Sequence, residues 1–239
     1  MAIYAIADLH LSFKNKKPMD IFGNNWENHE EKIKKSWNNI VKSNDTVLLP
    51  GDFSWAMKLE DTYLDFKYLN DLPGNKILLK GNHDYWWQTM LKLNEFIKNN
   101  KFEKINFLYN NSYLIENKII CGTRGWSLNE KILHEKMLNR EAKRLELTII
   151  DGINKWGDDK EIICMMHYPP IVKNKKDIET NELKNIFLKI LMKYGVKKCI
   201  YGHLHGDSHK DAVDEKINEI EFKLVSGDYL NFNIYKISD

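Results

Sequence analysis

Several protein classes are excluded by what this chain lacks. It has three cysteines in 239 residues: Cys121, Cys164 and Cys199. The count is odd, no pair is spaced as CxxC, and each lies in an apolar run. That argues against a disulfide scaffold or a thiolate metal site and predicts buried, reduced thiols in strands. No Pro-, Gly- or Ser-rich linker interrupts the chain. No apolar run approaches the roughly 18 residues of a membrane span. The N-terminal MAIYAIADLH lacks the basic start and cleavage pattern of a secretion signal, so a cytoplasmic protein is expected. Charge imbalance is also missing, with 36 Lys and Arg against 34 Asp and Glu, a net +2. Near-balance argues against a strongly basic nucleic-acid binder. Arginine itself is scarce. Arg124, Arg140 and Arg144 stand out in a chain otherwise rich in Lys, Asn and Ile.

What is present suits one large domain over residues 1–239, with 43% hydrophobic and 29% charged residues. Apolar, β-branched runs predict strands at Ile3–Ala7, Thr46–Leu49, Lys76–Leu79, Ile119–Gly122, Glu161–Met166, Lys197–Tyr201, Phe222–Val225 and Phe232–Ile237. Asn106–Tyr109 and Ser112–Glu116 read as a hairpin about Asn110-Asn111. Helical patterns fall at Glu27–Ser43, Asp61–Leu72, Tyr85–Asn99, Leu128–Ile150 and Asn181–Tyr194. Strand and helix alternate in the first half, which predicts an α/β fold with parallel pairing, and the last third reads as partly antiparallel. Leu11–Trp26 and Pro169–Thr180 are long, polar segments of the kind that often carry function.

The informative residues follow the apolar runs. Strand ends deliver Asp8-Leu9-His10, Gly51-Asp52, Gly81-Asn82-His83-Asp84, His167, and Gly202-His203-Leu204-His205-Gly206. Five of the eight histidines are spent there. Ligands bind at the carboxyl ends of strands in open α/β sheets. On a strand, Asp8 with His10 and His203 with His205 would each share one face. Imidazole and carboxylate without thiolate select divalent metals such as Mn, Fe, Zn or Co. Asp8, His10, Asp52, Asn82, His167, His203 and His205 exceed the needs of one ion and suit two, bridged by a shared carboxylate. Glycines 51, 81, 202 and 206 let the backbone turn beside each ligand. Burying so many Asp and His without a cation would leave charges and donors uncompensated.

At these residues the sequence resembles the calcineurin-like metallophosphoesterase superfamily. Its pattern of DxH, GD, GNH followed by an acid, a lone His and GHxH is met from residue 8 to residue 205. The resemblance implies a four-layer α/β/β/α sandwich with two divalent ions. One would be held by Asp8, His10, Asp52 and His205, the other by Asp52, Asn82, His167 and His203. It implies in-line attack on a phosphomonoester or phosphodiester by hydroxide generated between the ions. His83 would act at the leaving group or a phosphoryl oxygen, and Asp84 would orient His83. A small phosphorylated substrate is expected. A nuclease or cyclic-nucleotide phosphodiesterase is the alternative, with nucleic acid then the partner, and a non-catalytic scaffold on the same fold is a third reading. The serine/threonine phosphatase branch places an Arg just after GD. Here Phe53-Ser54-Trp55-Ala56-Met57 follows instead, which argues against protein phosphatase activity.

Other residues carry two readings. Arg124, between Gly122 and Gly125 after a strand, is a candidate phosphate grip or a structural Arg. Trp55, Trp86, Trp87 and Trp126 lie near the motifs and read as an aromatic wall or, in preference, as core. Trp26, Trp37 and Trp156 have no motif neighbour, and His29, His134 and His209 read as surface or structural. Lys14–Lys17 and Lys173–Lys176 lie in the two long loops and would steer an anion or stay solvated.

Overall fold

The computed structural model describes residues 1–128, 134–171, 173, 183 and 185–239. Most of the loop expected at Pro169–Thr180, including Lys175 and Lys176, lies outside the described residues. So do residues 129–133, 181–182 and 184 of two expected helices.

Eleven strands among the described residues form two sheets. The first runs β11 (Tyr235–Ser238), β1 (Ile3–Ala5), β2 (Thr46–Leu49), β3 (Asn75–Leu79), β4 (Ile105–Leu108). Its pairs are parallel except β1 with β11. The second runs β5 (Tyr113–Ile115), β6 (Lys118–Thr123), β7 (Glu161–Met166), β8 (Lys198–Tyr201), β10 (Ile220–Leu224), β9 (Lys216–Ile217). Here β6, β7, β8 and β10 are parallel, and the edge strands β5 and β9 are antiparallel. The helices are α1 (His29–Ile40), α2 (Tyr63–Asp71), α3 (Met90–Asn99), α4 (Glu135–Trp156) and α5 (Ile186–Lys193).

The period-2 alternation of the strands sorts their side chains into layers. Ile3, Ala5 and Ala7 face Ile120, Ile163, Met165 and Ile200 across a middle layer between the sheets. Tyr4, Ile6, Val47 and Leu49 point the other way, onto Ile33 and Trp37 of α1 and Phe66 and Leu69 of α2. Cys121, Ile162, Cys164 and Tyr201 pack outward against Leu145 and Ile149 of α4 and Phe187 and Leu191 of α5. Each sheet is thus apolar on both faces, and the result is a helix–sheet–sheet–helix sandwich, as expected. The three cysteines are free and buried, on adjacent strands of the second sheet.

The expected hairpin at 106–116 is corrected. β4 and β5 lie in different sheets, and β5 pairs instead with β6. The Asn111 side chain accepts from the Tyr109 amide at 2.7 Å and donates to the Phe107 carbonyl at 3.3 Å. Asn110 takes φ 57°, so the chain leaves the first sheet rather than folding back along it. The last strand starts at Tyr235 rather than Phe232, because Asn231 and Phe232 sit in a left-handed turn at φ 49° and 58°. Helix α3 starts at Met90 rather than Tyr85, capped by Thr89.

The two sheets are stitched at one end. The Ala7 amide donates to the Val225 carbonyl at 2.7 Å and the Gly227 amide to the Ala7 carbonyl at 2.9 Å. The motif residues gather at that end.

Candidate metal centre

Past β1 the chain stays paired with the segment past β2. The Asp8 amide donates to Gly51 O, His10 to Asp52 O and Leu11 to Phe53 O, each at 3.0 Å. Asp8, His10, Asp52 and His203 all adopt left-handed backbone, with φ of 58°, 45°, 52° and 75°. The expectation that each x-spaced pair shares one face of a strand is corrected. These residues lie beyond the regular strands, and left-handed kinks aim their side chains. Non-glycine residues in that region cost about 1–3 kcal/mol each and persist only where the surroundings over-determine them. Gly81 and Gly202 serve close approach: a Cβ on Gly81 would run into the Asp52 carboxylate, and one on Gly202 would lie 2.5 Å from Asp8 Oδ2.

The seven expected donors converge. Asp8, His10, Asp52 and His167 are almost wholly buried. Asp52 Oδ2 lies 3.8 Å from His10 Nε2 and 3.6 Å from His167 Nε2. Asn82 Oδ1 lies 2.5 Å from His167 Nε2 and 2.8 Å from His203 Nδ1. His205 Nε2 lies 3.8 Å from Asp8 Oδ1. Donor atoms of Asp8, His10 and His205 form one group within 4.8 Å of one another, and those of Asp8, Asp52 and His167 form a second.

Three observations fit these residues to cations. Asp8 Oδ1, His10 Nδ1 and His205 Nε2 are buried polar atoms without a hydrogen-bond partner among the described residues, an arrangement that a bound ion explains. His167 Nδ1 lies 3.0 Å from the Pro50 carbonyl and His205 Nδ1 lies 2.8 Å from the Asp228 carboxylate, which leaves Nε2 of each as the ligand atom. The protonation balance is the third. Burial, with the Asp52 charge added, pushes Asp8 up to about 8. Burial also pushes Asp52 up to about 6 and lowers His167 to about 3 and His203 to about 2. Burial opposes charge on His205 as well, but the Asp228 hydrogen bond and the Asp8 charge outweigh it and raise His205 to about 9. A cation would replace those protons and restore the carboxylates to their charged form.

Residues 1–207 match the calcineurin-like phosphoesterase family. This chain belongs to that family. A Gene 66 protein of Mycobacterium phage L5 is 31% identical over 78 residues, 33% of this chain and 37% of that protein. The chain therefore matches little more than a third of that relative's length. A protein of unknown function, AQ665 from Aquifex aeolicus, superposes with a TM-score of 0.51 at 18% identity, over 98% of this chain and 95% of its own. The phosphopantetheinyl hydrolase PptH from Mycobacterium tuberculosis gives 0.55 at 10% identity, over 99% and 95%. At those identities the structures share the fold. Among the described residues, no helix is long and apolar enough to cross a membrane.

Within the family frame, His83 and Asp84 part company. His83 is half-buried beside the donors, with its ring 4.6 Å from Trp55 and 5.8 Å from His10. The expectation that Asp84 orients His83 is corrected. Asp84 is fully buried and accepts from the amides of Asp52, Phe53, Ser54 and Gly81 and from Trp86 Nε1, at 2.7–3.2 Å. It pins the loop after β2 to the turn after β3, because those strands are neighbours. Arg124 is close enough to His167 for its charge to oppose protonation of that imidazole, and its carbonyl accepts from the Tyr168 amide at 2.9 Å. It faces a separate pocket, with its guanidinium 4.9 Å from the Trp126 ring.

The tryptophans divide. Trp86 and Trp87 are core. Trp55 stacks on His10 at 4.7 Å, with Lys17 Nζ 3.1 Å from its ring centre. Trp26 belongs to the site despite the sequence reading, 5.8 Å from His10 and 5.6 Å from His205. Asp228 was also missed. The signal was there: the Phe222–Val225 run ends in Ser226-Gly227-Asp228, a strand end delivering an acid like the others. His209 Nε2 lies 3.2 Å from the second Asp228 oxygen and so reaches the rim. His29 is structural, with Nε2 3.0 Å from the Leu9 carbonyl.

Proposed function

We propose that this protein hydrolyses a phosphomonoester or phosphodiester at a centre of two divalent ions drawn from Mn, Fe, Zn and Co. The position of Asp52 Oδ2 carries the reading: it lies within 3.8 Å of both His10 Nε2 and His167 Nε2. That arrangement supports a shared carboxylate, with Asp8, His10 and His205 holding one ion and Asn82, His167 and His203 the other. When bound, the ions supply a water of lowered pKa and neutralise charge gathering on the phosphoryl oxygens.

The chain's own groups do the rest. His83 donates a hydrogen bond or proton to an oxygen of the reacting phosphoryl group. Asp84 holds the Asp52 and Asn82 segments in register through its five bonds. Trp55 forms a flat wall behind His10 and His83 that keeps bulk water from them, and Lys17 sets a positive charge at its outer face. Three free, buried cysteines suit a reducing compartment and support a cytoplasmic setting.

The test is hydrolysis of p-nitrophenyl phosphate and bis-p-nitrophenyl phosphate by protein loaded with Mn²⁺. Turnover of either is expected, with loss on chelation, and the preferred ester separates monoesterase from diesterase. Absence of turnover on both esters and on a nucleotide panel, in metal-loaded folded protein, would overturn the reading.

A further inference from the structure

The scarce arginines converge. Arg124, Arg140 and Arg144 all line one pocket of about 650 Å³, together with Lys80 and Tyr109. That volume is in the range of small-molecule sites. The wholly buried Glu141 braces two of the guanidiniums. It accepts from Arg140 Nε and Nη2 at 3.3 and 3.2 Å and from Arg144 Nη1 at 2.8 Å. Arg144 Nη2 also donates to Tyr109 Oη at 3.0 Å. Neither Lys80 nor Arg124 has an ion-pair partner among the described residues. Four cations therefore face one carboxylate in a concave site, with planar forks held in place, which is the donor chemistry that takes a phosphate.

None of the seven metal-ligand candidates lines this pocket, yet it abuts them. Lys80 precedes Asn82 by two residues, so their Cα atoms are within about 7 Å. The Arg124 carbonyl accepts from the Tyr168 amide at 2.9 Å, one residue from His167.

We infer that this pocket is a second phosphate-binding subsite, distinct from the position of the scissile ester. Its occupant is either a distal phosphate of the substrate or free inorganic phosphate. The first source rests on the phosphoesterase reading, and the second does not.

Inorganic phosphate is titrated calorimetrically into metal-loaded wild type and into Arg140→Gln and Arg144→Gln. The subsite predicts a binding event weakened about tenfold or more by either change, while kcat/KM for p-nitrophenyl phosphate stays within about twofold. Where Arg144→Gln does not fold, Arg124→Gln replaces it for the binding measurement, since no ion pair among the described residues is lost. The source is read from KM for a panel of bisphosphates against matched monophosphates. A preference for bisphosphates that the substitutions abolish assigns a distal substrate phosphate. Weakened phosphate binding without such a preference assigns the free ion. Phosphate binding that all the variants leave unchanged overturns the subsite. Failure to hydrolyse p-nitrophenyl phosphate, bis-p-nitrophenyl phosphate and the nucleotide panel would overturn the proposed function instead and leave the binding result readable.

Discussion

Asp228 lies 2.8 Å from His205 Nδ1 through one carboxylate oxygen and accepts from the Gly206 amide at 3.1 Å through the other. The carboxylate thereby fixes the imidazole with Nε2 turned toward Asp8. Partners of this kind set the tautomer and basicity of a ligating histidine. Asp228→Ala should weaken metal binding about 10- to 100-fold, measured by titrating Mn²⁺ into chelator-treated protein. Unchanged affinity would reduce Asp228 to a local structural contact.

His83→Ala separates binding from chemistry. The ring sits beside the donors but completes neither donor group. Metal content by elemental analysis should match wild type, while kcat falls about 10²- to 10⁴-fold, the usual range for a lost general acid. Full retention of rate would remove His83 from the reaction.

Asp84→Ala is a stability test. Burial and the nearby Asp52 charge push this carboxyl up to about 7, yet four amides and one indole N–H depend on it. Leaving several buried donors unpaired should cost about 3 kcal/mol or more, read as a lower urea midpoint in chelator. Asp84→Asn keeps one acceptor oxygen and should cost less. Equal midpoints for wild type and Asp84→Ala would show that the loop holds itself.

Metal affinity should rise with pH. Without ions the fold keeps a proton on Asp8 to about pH 8 and on His205 to about pH 9. Above about pH 6, where Asp52 is already ionised, a cation must displace both, so the apparent affinity should climb with pH, by up to about a hundredfold per pH unit while both groups hold their protons, and level off once both have lost them. Proton release measured calorimetrically in buffers of different ionisation enthalpy checks this. A pH-independent affinity between 6.5 and 9 would contradict it.

The donor set was legible because each member sits at a strand end, so the rule that reads it is local. The layers were legible for the same reason, since alternation along β1 and β7 assigns each residue a face. What sequence reading missed needed knowledge of neighbours. Asp84 adjoins His83 in the chain, but its carboxylate turns inward because β2 lies beside β3 and offers three consecutive amides. The hairpin error arose where Asn111 bonds its own neighbours and diverts the chain into the other sheet. Trp26 reaches His10 only through the fold of the long segment before it. Arg140 and Arg144 meet at Glu141, whose carboxylate is buried only by the packing of α4 on the second sheet.

The stitch at Ala7 has a mechanical consequence. Asp8, His10, Asp52 and Asn82 follow strands of the first sheet, while His167, His203 and His205 follow strands of the second. Neither sheet holds a complete set, so the ions would act as a fastener across the seam. Parting of the sheets and escape of the ions then become a single opening event. Chelation should accordingly speed hydrogen exchange at the amides of Ala7 and Gly227, which cross that seam, before it is felt in the outer helices.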